Sequence, residues 1–302
     1  MSGILSIATS VMLPIFAVVG IAALTGRWLN LDPQPISRLT VYLLTPMLVF
    51  HSLVGSDIQQ DEIGAIAAML FLSSALIFAI GWGLSRLFKF NQQFAGVFIL
   101  SILLTNNGNM GIPMAEFAFG ENGMQRAALY FALSMFISNT FGIYLPSRGK
   151  LSIRQSIVNI FKVPLIYATI LGLGLNLLGV KLPLPIDRTV ELLGQAAVPG
   201  MLVVLGLQLP RMHLNTRPGP LLLATSVRLL VAPLIGFLLG ALIGISGPAR
   251  QASIMQIGMP TALLASVFAA EFGGDAEFVT AVTLLTTVVS IVTQSVVIVL
   301  LT

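Results

Sequence analysis

The chain has 302 residues, 56% of them hydrophobic and 9% charged, with a formal net charge of +4 and a mean hydropathy of +0.98. A soluble domain carries about 25% charged residues, so this composition excludes one and points to a polytopic membrane protein. With no cysteine, disulfides, cysteine-ligated metals and thiol chemistry are excluded as well.

Apolar runs near the ~20 residues that a bilayer requires fall at Ile4 to Thr25, Ile36 to Val54, Ile63 to Phe88, Phe94 to Phe119 and Met124 to Leu145. Five more fall at Val163 to Val180, Thr189 to Leu209, Pro220 to Ile245, Ala249 to Phe272 and Ala276 to Leu301. Met1-Ser2-Gly3 lacks the positive n-region of a cleaved leader, so the first run reads as a permanent span. No stretch alternates with a period of two as a barrel strand would, and backbone groups in lipid must be satisfied within the segment. The expected fold is all-α, with ten transmembrane helices.

Cytoplasmic loops carry the excess of Lys and Arg. With the N-terminus outside, the inner loops collect Arg27, Arg38, Arg86, Lys89, Arg148, Lys150, Arg154, Lys162, Arg211 and Arg217. The outer loops hold Arg126, Lys181, Arg188 and Arg250. Both termini are therefore expected outside the cytoplasm, in a bacterial inner membrane. Prolines repeat across the halves: Pro14 with Pro164, Pro46 with Pro199, and Gly111-Ile112-Pro113 with Gly258-Met259-Pro260. Five spans per half would invert one half on the other. The expected organisation is a first repeat over residues 1–146, a cytoplasmic linker over 147–162 and a second repeat over 163–302.

Within the fourth run lies Thr105-Asn106-Asn107-Gly108-Asn109-Met110-Gly111-Ile112-Pro113. Gly costs about 1 kcal/mol and Pro about 3 kcal/mol relative to Ala inside a helix, so this stretch predicts a broken span. Pro113 deprives the Asn109 carbonyl of its helical donor, and Pro260 does the same to Gln256. Each break creates a half-helix whose N-terminus offers free N–H groups and positive dipole character. If the two breaks cross, they build an anion site without a buried charged side chain.

The run Asn106 to Pro113 resembles the Asn-x-Gly-Asn-x-Gly-hydrophobic-Pro signature of the auxin efflux carrier family, which includes bacterial carriers for malonate or malate. The late element Met259-Pro260-Thr261-Ala262, the ten spans and the short central linker resemble the same family. That resemblance implies a five-plus-five inverted repeat related to bile-acid sodium symporters, with crossed broken helices framing an organic-anion site.

The expected substrate site therefore comprises Asn106, Asn107, Asn109, Gly111 and Pro113 with Gly258, Pro260 and Thr261, placed between Asn109 and Pro260. Arg228, an intramembrane cation, either pairs a substrate carboxylate or snorkels to the inner surface. Glu116 either couples protons or favours the positive helix end. Gln256 and Asn139 complete the polar surroundings, the first beside the second break and the second among small polar residues that bond across helices.

No His-Glu-x-x-His, Walker A or Gly-x-Ser-x-Gly pattern occurs, so neither an enzyme nor a cofactor or resident metal is expected. The expected function is a secondary carrier of a small organic anion working by alternating access, its partners the bilayer and that substrate, with no nucleic acid. Two alternatives stay open: a sodium-coupled symporter of the bile-acid type, with sodium near Asn109 and Gln256, and a membrane receptor that binds without transporting. Oligomeric state stays open between monomer and homodimer.

Overall fold

Apolar runs punctuated by Gly and Pro fold here as helices whose ends and irregular turns fall at the punctuation. The computed structural model describes residues 2–146, 163–214 and 216–302, and contains helices without strands among them. The expected linker at 147–162 lies outside the described residues. Helix α1 joins Ser2–Ile7 to Leu13–Trp28 through a π turn at Ala8–Met12. Helices α2 (Pro33–Val54), α3 (Gln60–Leu87), α4 (Gln92–Leu103) and α5 (Asn107–Tyr144) follow. The remainder comprises α6 (Pro164–Leu177), α7 (Leu184–Arg211), α8 (Pro218–Ile243), α9 (Gly247–Ile257), α10 (Leu263–Glu271) and α11 (Ala276–Leu301).

Seven of these, α1, α2, α3, α5, α7, α8 and α11, are long and apolar enough to cross a membrane. The number differs from ten because the fourth run is divided between α4 and the start of α5, and the ninth between α9 and α10. The fifth run forms the rest of α5, and α6 is 14 residues long.

Four π turns, at Ala8–Met12, Thr40–Leu44, Asn107–Gly111 and Val227–Val231, each end two residues before a proline: Pro14, Pro46, Pro113 and Pro233. A proline offers no N–H and its ring presses on the carbonyl four residues back. Widening the preceding turn relieves that pressure, as the bonds from Leu13, Thr45 and Ala232 N–H to carbonyls five residues back show. The helix is then re-aimed without being interrupted.

Helix α5 is not straight. Gly120 adopts φ 67° and ψ −163°, outside helical space, and Gln256 Nε2 donates to both Asn107 O and Ala127 O at 3.2 Å. Twenty residues of straight helix would separate those carbonyls by about 30 Å, so the chain folds back at Gly120. The fold-back is tied to the start of α3 by Arg126, which is buried and pairs with Asp57 at 2.7 Å and Glu62 at 2.8 Å.

The helices group by packing. Helix α2 lies against α6 and α7, and α1 against α7, where a Cβ on Gly206 would overlap the Val19 carbonyl. Helices α3, α4, α5, α8, α9, α10 and α11 form the other group, with α9 packed on α5 and α3 on both α4 and α8. Helices α5 and α11 meet the first group along α7, α2 and α1.

Candidate functional site

The second group is organised around a crossing of two extended stretches. Helix α4 ends at Leu103, and Leu104 (φ −83°, ψ 116°) and Asn106 (φ −77°, ψ 57°) leave helical space before α5 begins. Helix α9 ends at Ile257, and α10 resumes at Leu263. Pro260 disfavours a helical Met259, which explains why the second stretch stays open there. Thr105 and Thr261 face each other as an isolated antiparallel bridge. Asn106 N–H donates to Pro260 O at 2.8 Å and Ala262 N–H to Leu104 O at 2.9 Å. Backbone removed from water must find partners, and the bridge supplies them across the two chain halves.

The first interruption lies earlier in the chain than the motif suggests. Pro113 sits inside α5, because the π turn absorbs it: Gly111 N–H reaches Asn106 O at 3.0 Å, and Ile112 N–H reaches Asn107 O. The residue facing Pro260 is therefore Asn106, while Asn109 lies within the π turn. The Gln256 carbonyl, expected to be free, accepts from Met259 N–H at 3.2 Å.

Thr261 is fully buried and locks the bridge from both sides. Its hydroxyl donates to Ser101 O at 2.7 Å, and its N–H donates to Thr286 Oγ1 of α11 at 3.1 Å. Gln256, also fully buried, reaches across to α5, and Gly111 permits it, since a Cβ there would overlap Gln256 Oε1. A Cβ on Gly258 would lie 2.9 Å from Gln294 Nε2 and 3.1 Å from Pro233. Pro113, Gly258 and Pro260 are buried in the walls of the crossing.

Arg228, at 0% exposure, does not snorkel. Its Nη1 donates to Ile102 O at 2.6 Å and its Nη2 to Ile257 O. These carbonyls belong to the last turns of α4 and α9, where the backbone has lost its intrahelical donors. Around the N-terminal ends of α5 and α10 the balance is different. Asn106 (5% exposed) keeps Nδ2 without a partner, and Asn107 (1% exposed) keeps both Nδ2 and Oδ1 unpartnered. Gln256 Oε1 and both polar atoms of buried Gln294 are in the same condition. Buried polar groups are ordinarily bonded, and these exceptions accumulate around one crossing.

Asn109 is half-buried within the π turn, seven residues before Glu116. Glu116 is exposed and opens on a cleft of about 620 Å³ between α2, α5 and α7. Glu121, Glu191, His51, Gln195 and Pro199 also line it, and His51 Nε2 stands 3.6 Å from Asp187 Oδ1. Asn139 is remote from this arrangement in bonding, its side chain donating to Met135 O of its own helix at 2.9 Å.

The crossing thus joins Asn106, Asn107, Gly111, Gln256, Gly258, Pro260 and Thr261, with Asn109 one turn away and Arg228 behind. Sequence reasoning missed Ser101, Thr286 and Gln294. The last two are signalled only by a buried polar stripe on α11, Thr283, Thr286, Thr287, Ser290 and Gln294, at helical spacing.

A family model described as membrane transport protein matches residues 7–154 and 148–298. An uncharacterized transporter of Methanocaldococcus jannaschii is 26% identical over 263 residues, covering 85% of each chain. A Rhizobium meliloti protein named "putative malonate transporter" is 27% identical over 303 residues, covering 94% of this chain and 93% of its own. An uncharacterized transporter of Methanothermobacter thermautotrophicus is 25% identical over 267 residues, covering 86% of each.

Proposed function

The chain belongs to the membrane transport protein family, that of the auxin efflux carriers, and we propose that within it this protein is a secondary carrier for a small organic anion, working by alternating access. It is an integral membrane protein. The reading takes α4 with the first limb of α5 as one interrupted span and α9 with α10 as its counterpart. Ten spans then form two inverted halves of five, with both termini outside, and the 620 Å³ cleft opens outward between the two helix groups.

One observation carries the anion assignment. The side-chain Nδ2 groups of Asn106 and Asn107 are buried and unpartnered beside a helix N-terminus, and among the described residues no carboxylate is buried. Two helix N-termini together present roughly one positive charge, and amide donors complete a seat for a carboxylate. Asn109, half-buried in the π turn that follows Asn106, is in this reading the residue an incoming carboxylate meets first. The malonate named for the Rhizobium relative is the first substrate to try.

Counterflow of labelled malonate and related mono- and dicarboxylates in proteoliposomes tests the proposal. The wild type should show saturable exchange, and Asn109→Ala should lose it while retaining its melting temperature. Undiminished exchange by Asn109→Ala would remove the site assignment, and saturable binding without flux would convert the carrier into a receptor.

A further inference from the structure

We propose that Arg228 is a resident counter-cation for the two half-helix C-termini, occupying the place a coupling cation would take and making transport independent of sodium. The stability half of this proposal stands on the structure alone, whereas the flux half rests on the carrier reading above.

The charges balance locally. Each helix C-terminus carries about −0.5 of an elementary charge, and Arg228 meets two of them, at Ile102 and Ile257. One guanidinium offsets both ends. Four further carbonyls of these last turns are occupied as well: Ser101 O by the Thr261 hydroxyl, Gln256 O by Met259 N–H, and Ile254 O and Met255 O by Gly258 N–H. A sodium ion at these two ends would need several oxygen ligands, and those carbonyls already have donors; the unpartnered oxygens of Asn107, Gln256 and Gln294 lie towards the positive helix N-termini, where a cation is disfavoured. Nor is there a buried carboxylate among the described residues to add negative charge.

Placement comes from the sequence. Arg228 lies in the π turn Val227–Val231 imposed ahead of Pro233, and Pro233 itself packs beside Gly258. The widened turn directs the side chain to the crossing. Arg228 Nε is unpartnered, and Arg228 lines a cavity of about 10 Å³ together with Ser73, Thr105, Tyr130, Ser134 and Ser138. That space holds one water-sized guest and is too small for a carboxylate, which separates Arg228 from the proposed substrate seat.

The test reads melting temperature of the purified protein and flux in proteoliposomes, each in sodium, potassium and N-methylglucamine. The wild type should give one melting temperature and one initial rate in all three. Removing Arg228 leaves two buried helix-end carbonyls without a donor, so R228A should melt about 5–10 °C lower. Guanidinium at non-denaturing concentration should restore part of that loss, and tetramethylammonium, which has charge but no donors, should not. R228K, a point charge without a planar fork, should fall between wild type and R228A, and it decides the matter if R228A cannot be recovered.

An R228A variant as stable as wild type, a loss that guanidinium leaves untouched, or an R228K variant that melts with the wild type overturns the proposal. So does a saturable, sodium-specific rise in wild-type melting temperature, or a flux that vanishes in potassium. If no carboxylate flux is found in any salt, the carrier reading fails, while rescue by guanidinium still identifies the resident cation.

Discussion

The two sides of the crossing are built from the same parts and finished differently. Each combines two helix ends, an extended stretch and buried polar side chains. Where the C-termini of α4 and α9 meet, the sequence supplies its own charge, Arg228, and the carbonyls are taken. Where the N-termini of α5 and α10 open, the sequence supplies only neutral amides, and Asn106 and Asn107 keep unpartnered atoms. A helix end of either sign needs an opposite charge. In the proposed carrier, completing one end internally and leaving the other to the substrate anion is what would make the site selective.

The comparison breaks most sharply if the open side is given its own charge. Asn107→Asp would place a carboxylate beside the helix N-terminus, a stabilising location, so the variant should fold with an unchanged or raised melting temperature and lose anion exchange entirely. Exchange at the wild-type rate would show that the substrate is seated elsewhere.

Gly111→Ala would force Gln256 off the two α5 carbonyls it bonds. Overpacking and unsatisfied buried groups together should cost about 2–4 kcal/mol, read by denaturation in detergent. A neutral result would mean that Gln256 has another place to go. Gly258→Ala, by contrast, meets a side chain that has no bonds to lose, since Gln294 is unpartnered. Its cost should stay near 1 kcal/mol, and a cost equal to that at Gly111 would contradict the asymmetry.

The smallest effect concerns approach. Glu116, Glu121 and Glu191 line the cleft between the helix groups, and like charge opposes an arriving anion. Glu116→Gln should lower the apparent KM for external carboxylate by about twofold to fivefold at low salt, the gain fading as ionic strength rises. A KM that rises instead would assign Glu116 to binding.

Much of this arrangement was legible in the residues. Long apolar runs marked the helices because lipid leaves the backbone no other partner. The amide and glycine cluster at 105–113 marked a disturbed span because those residues are poor helix formers. The position of the interruption was not legible. A proline reads as a helix breaker, yet the π turn at Asn107–Gly111 accommodates Pro113 and the chain opens at Leu104 instead. Nor could spacing tell whether Arg228 reached the surface or turned inward, because both are within the length of an arginine. Its destination is set by Pro233 and by carbonyls contributed from residues more than a hundred positions apart. Gln256 shows the same limit: its side-chain partners, Asn107 and Ala127, are neighbours only because α5 folds back at Gly120.

The Thr105–Thr261 bridge also bears on movement. Pulling its strands apart exposes two backbone hydrogen bonds where no water replaces them, at about 4–6 kcal/mol each in an apolar medium. In the proposed carrier the crossing would therefore travel as one piece, and opening to either side would come from sliding between the helix groups. Deuterium would reach the Asn106 and Ala262 amides last of all.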